Sequence, residues 1–171
     1  MRYTRARDAW ITEGGADLMA VRATRTIDPT YDSVAELQRE VDDCIAMATG
    51  KPVASAGERG ENRAYYACGA VWSLALEAAQ RARTGGDFFD VVAEFQRRNA
   101  DDMTVTREEW LTLLTDVSRD PSLRIGIERM LDEGAVNPAG EIAHLFERTG
   151  VAFRMEGDRL VLVGDQAPPN E

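Results

Sequence analysis

The sequence predicts a mainly α fold, with about seven helices followed by a small C-terminal β-hairpin. Apolar residues recur at helical spacing along most of the chain, whereas apolar and polar residues alternate strictly only near its carboxyl end. Of the 171 residues, 44% are hydrophobic and 29% are charged, as is typical of a globular chain that buries a core. We therefore expect a single helical domain over residues 1–163.

The first two helices are delimited by breaks between their apolar faces. Residues 8–24 place apolar side chains on one face, and Asp28-Pro29 interrupts the pattern. Ser33 and Glu36 then form a capping-box pattern, which predicts the start of a second amphipathic helix.

The third helix is predicted to lie at the centre of the domain. It follows a polar loop at residues 50–60, which is rich in glycine. Residues 61–83 are apolar nearly all round, and a helix without a polar face is normally buried. Thr84-Gly85-Gly86 ends this helix.

Four shorter helices and a hairpin complete the prediction. The first of these helices begins at the aromatic pair Phe88-Phe89, and the second at a capping box formed by Thr106 and Glu109. The other two begin at a capping residue followed by proline, Asp120-Pro121 and Asn137-Pro138. Two alternating segments flank Gly157-Asp158, which predicts a β-hairpin. Residues 164–171 are polar and contain proline, and we expect a disordered tail there.

Charge and cysteine content exclude several classes of function. The net charge of −10 argues against nucleic-acid or anionic-membrane binding, since both need a basic surface. The longest apolar run, residues 64–76, is too short to span a bilayer. Cys44 and Cys68 lie in predicted helices without a Cys-x-x-Cys spacing, and we expect buried free thiols.

Two glycine-containing helical segments are the most informative motifs. The first is Trp10-Ile-Thr-Glu13-Gly14-Gly15, and the second is Tyr66-Ala-Cys-Gly69. Each glycine inside a helix costs about 1 kcal/mol relative to alanine. A soluble helix keeps such residues when another group must approach its backbone closely, so both motifs predict close contacts.

In order and spacing, these motifs resemble the gluzincin zinc metallopeptidases of the aminopeptidase N and glycyl-aminopeptidase group. The resemblance covers nearly the whole chain, although Cys68 stands where that family often has lysine. It implies that Glu13 is the third zinc ligand. The family's other two ligands and its general base come from an upstream H-E-x-x-H helix, and residues 1–12 contain no histidine. The resemblance therefore implies the helical C-terminal part of a peptidase, which binds no zinc and is inactive alone.

The chemistry of peptide hydrolysis gives each of these residues a role in the intact parent. A catalytic zinc takes three protein ligands and keeps one position for water, and Glu13 would be the anionic ligand. Tyr66 would donate a hydrogen bond to the oxyanion that forms when water attacks the peptide carbonyl. Asp17, one turn beyond Glu13, could orient the site.

A purely structural interpretation exists for each candidate. Glu13 near a helix start is favoured by the helix dipole without any metal, and Tyr66 could be a core tyrosine. Tyr65 faces another direction and is expected to be structural. His144, the only histidine, forms a single Glu-x-x-His pattern that does not make a metal site. The alternatives to a peptidase are a non-catalytic helical module that binds a protein or peptide, or an unrelated helical bundle.

Overall fold

The computed structural model describes residues 7–101 and 104–164 and confirms the mainly α prediction. Seven α-helices and one antiparallel hairpin form the described part of the chain. The helices are α1 (Ala9–Ile27), α2 (Ser33–Ala48), α3 (Arg63–Thr84), α4 (Phe88–Arg98), α5 (Arg107–Ser118), α6 (Ser122–Asp132) and α7 (Pro138–Thr149), and the strands are β1 (Phe153–Glu156) and β2 (Arg159–Leu162). The predicted tail, apart from Gly164, lies outside the described residues.

Helix α3 is the centre of the domain, as its composition predicts. Every residue from 67 to 79 is buried, and α1, α2, α4, α5 and α7 all contact this helix. The indole of Trp10 on α1 packs edge-on against both Trp72 on α3 and Trp110 on α5, with ring centroids 5.0 Å apart in each pair. Edge-to-face packing of this kind is the favoured geometry for aromatic rings, and here it joins three helices. None of the described helices is both long enough and apolar enough to cross a membrane.

The close approach predicted from the glycines is present where α1 crosses α3. Gly14 lies directly on Gly69, so that a Cβ atom on Gly69 would be 2.1 Å from the carbonyl oxygen of Trp10 and 2.9 Å from the Cα of Gly14. No side chain larger than hydrogen fits on either residue. Gly15 has a different role, because a Cβ there would meet only the ring of Phe88, at 3.6 Å.

Helix starts agree with the sequence signals at α5 and α7 but not at α2, and α6 begins at Ser122 with Pro121 rather than Asp120 as its N-cap. Thr106 and Glu109 form the expected reciprocal capping box, and Asn137 caps α7 ahead of Pro138. The prediction that Ser33 caps α2 is wrong, because the Asp32 side chain accepts the hydrogen bond from the Ala35 amide at 2.9 Å. Aspartate and serine are comparable N-cap residues, and because α2 begins at Ser33, the preceding Asp32 takes the role.

The expectation of free thiols is also wrong. Cys44 on α2 and Cys68 on α3 form a disulfide, and both cysteines are fully buried. The pairing arises because α2 packs along α3 and brings two cysteines that are 24 positions apart to a Cα–Cα distance of 4.7 Å. Their helical positions alone do not reveal which faces meet.

The segment predicted as a polar loop is ordered by Tyr65. It contains two short 3₁₀ turns, Val53–Ser55 and Gly57–Arg59. The Tyr65 hydroxyl accepts a hydrogen bond from the Gly57 amide at 3.0 Å and donates one to the Ala54 carbonyl at 3.1 Å. These bonds confirm the structural role expected for this tyrosine.

The hairpin is attached to α2 through one side chain. Its register pairs Phe153 with Leu162 and Glu156 with Arg159 across the predicted turn. The Gln38 amide group donates to the Leu160 carbonyl at 2.9 Å, and its oxygen accepts from the Leu162 amide at 2.8 Å. The apolar side chains of β2 are thereby held over the core.

Candidate functional site

The helix crossing brings the two predicted site residues near each other in the fold. Glu13 directly precedes Gly14 on α1, and Tyr66 lies one turn before Gly69 on α3. Since Gly14 and Gly69 are in contact, both residues lie within about one helical turn of the same point. Both side chains are half-buried, and Tyr66 packs partly against the core.

Arg63 organises the acidic groups beside this crossing. It lies one turn before Tyr66 and reaches carboxylates on two other helices. Its Nη2 donates to Glu40 at 2.7 Å, its Nε to Asp43 at 2.9 Å, and its Nη1 to Asp17 at 3.4 Å. One guanidinium therefore joins α1, α2 and α3 next to the predicted site. We call these four residues the Arg63 cluster.

Two carboxylates of the cluster have raised pKa values. Burial raises the pKa of Glu40, and the neighbouring Asp17 and Asp43 carboxylates add to this effect, while the hydrogen bond from Arg63 opposes it. Burial likewise raises the pKa of Asp17, with Arg63 opposing and Glu13 contributing in the same direction. The Glu40 side chain is only 5% exposed, and its Oε2 has no hydrogen-bond partner in the structure. Three carboxylates around one cation leave an excess of negative charge at this end of the crossing.

Asp17 is thus held by an arginine. The sequence predicts that Asp17 could orient a metal ligand, whereas its one described hydrogen bond is to Arg63. Sequence reasoning missed Arg63 altogether. Its position one turn before Tyr66 is a weak signal at best, because its partners lie 20, 23 and 46 positions away on other helices.

The remaining sequence candidates do not join the site. His144 is exposed on α7, and Glu141 one turn before it pairs with Arg129 of α6. Within residues 7–101 and 104–164, no three His, Cys, Asp or Glu side chains are grouped so that they could hold a metal ion.

No protein-family model matches the chain, and neither a curated protein nor a solved structure is detectably similar to it. The roles of Glu13 and Tyr66 in a peptidase therefore stay predictions.

Proposed function

We propose that this chain is the helical part of a zinc-dependent peptidase, in which Glu13 is a metal ligand and Tyr66 a hydrogen-bond donor to the substrate. The observation that carries the proposal is the contact between Gly14 and Gly69. It brings Glu13 on α1 and Tyr66 on α3 to within about one helical turn of the same crossing, which supports a shared site. The substrate class is a peptide, because the proposed chemistry is attack on an amide carbonyl.

The side chains of this chain do not by themselves provide the ligands that a catalytic zinc needs. Such an ion takes three protein ligands, and the described residues offer no such group. Asp17 supplies no ligand in this arrangement, because it accepts a hydrogen bond from Arg63, and the ligand proposed from α1 is Glu13. Under the proposal, two histidines and a general base come from residues outside the 171 of this chain.

The roles proposed for this chain's own residues follow from their positions. Glu13 supplies a negatively charged oxygen beside the crossing. Tyr66 supplies a hydroxyl from the buried central helix, where its ring is supported by core packing. The glycine contact fixes the spacing of the two backbones, so both groups are positioned before any substrate binds.

The first experiment is to sequence the coding region immediately upstream of the Met1 codon. The proposal expects an in-frame His-Glu-x-x-His motif shortly before Trp10. An in-frame stop codon there, or an open frame that lacks those histidines, would overturn the proposal. Glu13 would then be a helix-surface carboxylate, in keeping with a non-catalytic binding module.

The second experiment uses the complete open reading frame. Glu13→Gln should abolish stoichiometric zinc, and Tyr66→Phe should lower peptide hydrolysis by about 100- to 1,000-fold with zinc retained. The matched controls are Glu58→Gln, an exposed carboxylate, and Tyr31→Phe, a half-buried tyrosine on another part of the surface. Zinc content and activity that are unchanged in both site variants would exclude these two roles.

A further inference from the structure

A cavity lies where three helices end, away from the glycine crossing. It has a volume of about 340 Å³ and is formed by the last turns of α3, α5 and α7 together with Arg119, which directly follows α5. Three of its eight lining residues are arginines, namely Arg83, Arg119 and Arg148, and none is acidic. This composition is unexpected in a chain with 30 acidic and 20 basic residues.

The backbone of Arg119 is in an unfavourable conformation. It has φ 57° and ψ 30°, and among the described residues it is the only one other than glycine with a positive φ. This left-handed region is costly for a residue that carries a Cβ atom, and helices normally end there with glycine or asparagine. Arg119 is exposed, so its side chain is free to reach a ligand in the open cavity that it lines.

The Arg119 side chain has no partner within the described part of the chain. Every other described arginine, and Lys51, forms a hydrogen bond or an ion pair, whereas Arg119 forms neither. Its two neighbours in the cavity wall each have a partner within the protein. Arg148 Nε donates to Asp120 at 2.5 Å, and Arg83 Nη1 donates to the Asp116 carbonyl.

Helix dipoles explain only part of this arrangement. A cation near the last turn of a helix is stabilised by the exposed carbonyl groups, which accounts for Arg83 and Arg148. The same effect would not favour arginine over glycine at position 119, because the stabilisation of the cation by the helix dipole is offset by the cost of the left-handed backbone. Three guanidinium groups around one open cavity do, however, suit a ligand with several anionic oxygens.

We propose that this cavity binds an oxyanion, either a phosphoryl group or a carboxylate, with Arg119 as the principal contact. The volume lies within the range of small-ligand sites. Arg83 and Arg148 supply further N–H donors from positions fixed by their own hydrogen bonds. The site is independent of Glu13 on α1 and of Tyr66, which lies near the start of α3, whereas the cavity lies at its end.

The test is an NMR titration of the 171-residue chain with inorganic phosphate and, separately, with acetate at constant ionic strength. The backbone amides of Ser118, Arg119 and Thr149 should shift in a saturable manner. Saturation by phosphate alone would identify a phosphoryl ligand, saturation by acetate alone would identify a carboxylate ligand, and saturation by both would identify a site that accepts either oxyanion.

Arg119→Gly separates binding from folding. Glycine suits the left-handed backbone, so this variant should unfold at a temperature at least as high as the parent, and its affinity for the anion should fall by about tenfold or more. Arg154→Gln, in the hairpin, is the control and should bind as the parent does. The proposal is overturned if neither anion gives saturable shifts, or if Arg119→Gly binds as tightly as the parent.

Discussion

A Cβ atom on Gly14 would lie 2.1 Å from the carbonyl carbon of Gly69, well inside any permitted contact distance. The obstacle is the backbone of α3, which cannot rotate aside as a flexible side chain can. The two glycines therefore set how closely the first and third helices approach, and with it the position of every residue near the crossing.

Replacing Gly14 by alanine should destabilise the protein by about 3 kcal/mol or more, in spite of the better helix propensity of alanine. Gly15→Ala is the matched control, because its Cβ would only touch the Phe88 ring at an ordinary 3.6 Å. That variant should be neutral or more stable by up to about 1 kcal/mol. Urea unfolding of both variants measures the difference, and equal stabilities would contradict the crossing geometry.

Removing the charge of Glu77 should be similarly costly. This carboxylate is fully buried and accepts hydrogen bonds from Arg22 Nε at 3.0 Å and from the Phe88 amide at 3.3 Å. Glu77→Gln leaves the buried guanidinium without its counter-ion, which typically costs about 3–5 kcal/mol. Glu36→Gln, in an exposed pair with Arg39, should change the free energy of unfolding by less than about 1 kcal/mol. A change at Glu77 no larger than that at Glu36 would contradict this role of the buried carboxylate.

The raised pKa of Glu40 predicts a definite pH dependence. A carboxyl whose pKa is higher in the folded state binds its proton more tightly there, so ionising it costs stability. This loss of stability is complete when the pH is above the pKa of Glu40 in the folded state. It disappears when the pH is below the pKa in the unfolded state, which is about 4.3. The parent should therefore gain stability relative to Glu40→Gln as the pH falls through this window. Urea midpoints across this pH range test the sign. Glu58→Gln controls for the loss of one charge, and a relative loss on acidification would contradict the assignment.

The disulfide between Cys44 and Cys68 closes a segment of 24 positions, and its removal should cost about 3 kcal/mol. Unfolding midpoints of the parent and of the double variant Cys44→Ala/Cys68→Ala measure this cost. Thiol titration of the denatured, unreduced chain gives an independent answer. It should detect no free thiol, whereas two thiols per chain would restore the expectation drawn from the sequence.

Local signals in the sequence predict the elements well, because local physics decides them. The glycines at positions 14 and 69 indicate a close backbone approach through their helix propensity alone, and the Thr106 capping box marks the start of α5 correctly. Each of these inferences needs only a few neighbouring residues.

Features that depend on how helices face one another could not be predicted. The disulfide depends on which face of α2 meets α3, and the partners of Arg63 come from two other helices. The ion pair of Arg22 and Glu77 joins residues 55 positions apart. The left-handed backbone of Arg119 has no compositional signal, since glycine or asparagine normally marks such a position.

The bond pattern of Gln38 has a consequence for self-association. A two-stranded hairpin exposes unpaired amide and carbonyl groups along its outer edges, and such edges recruit strands from other molecules. Gln38 occupies the outward carbonyl of Leu160 and the outward amide of Leu162, as a neighbouring strand would. The Gln38 side chain thus makes two of the hydrogen bonds that a third strand would make, and these two groups of β2 are not available for pairing with a strand of another molecule.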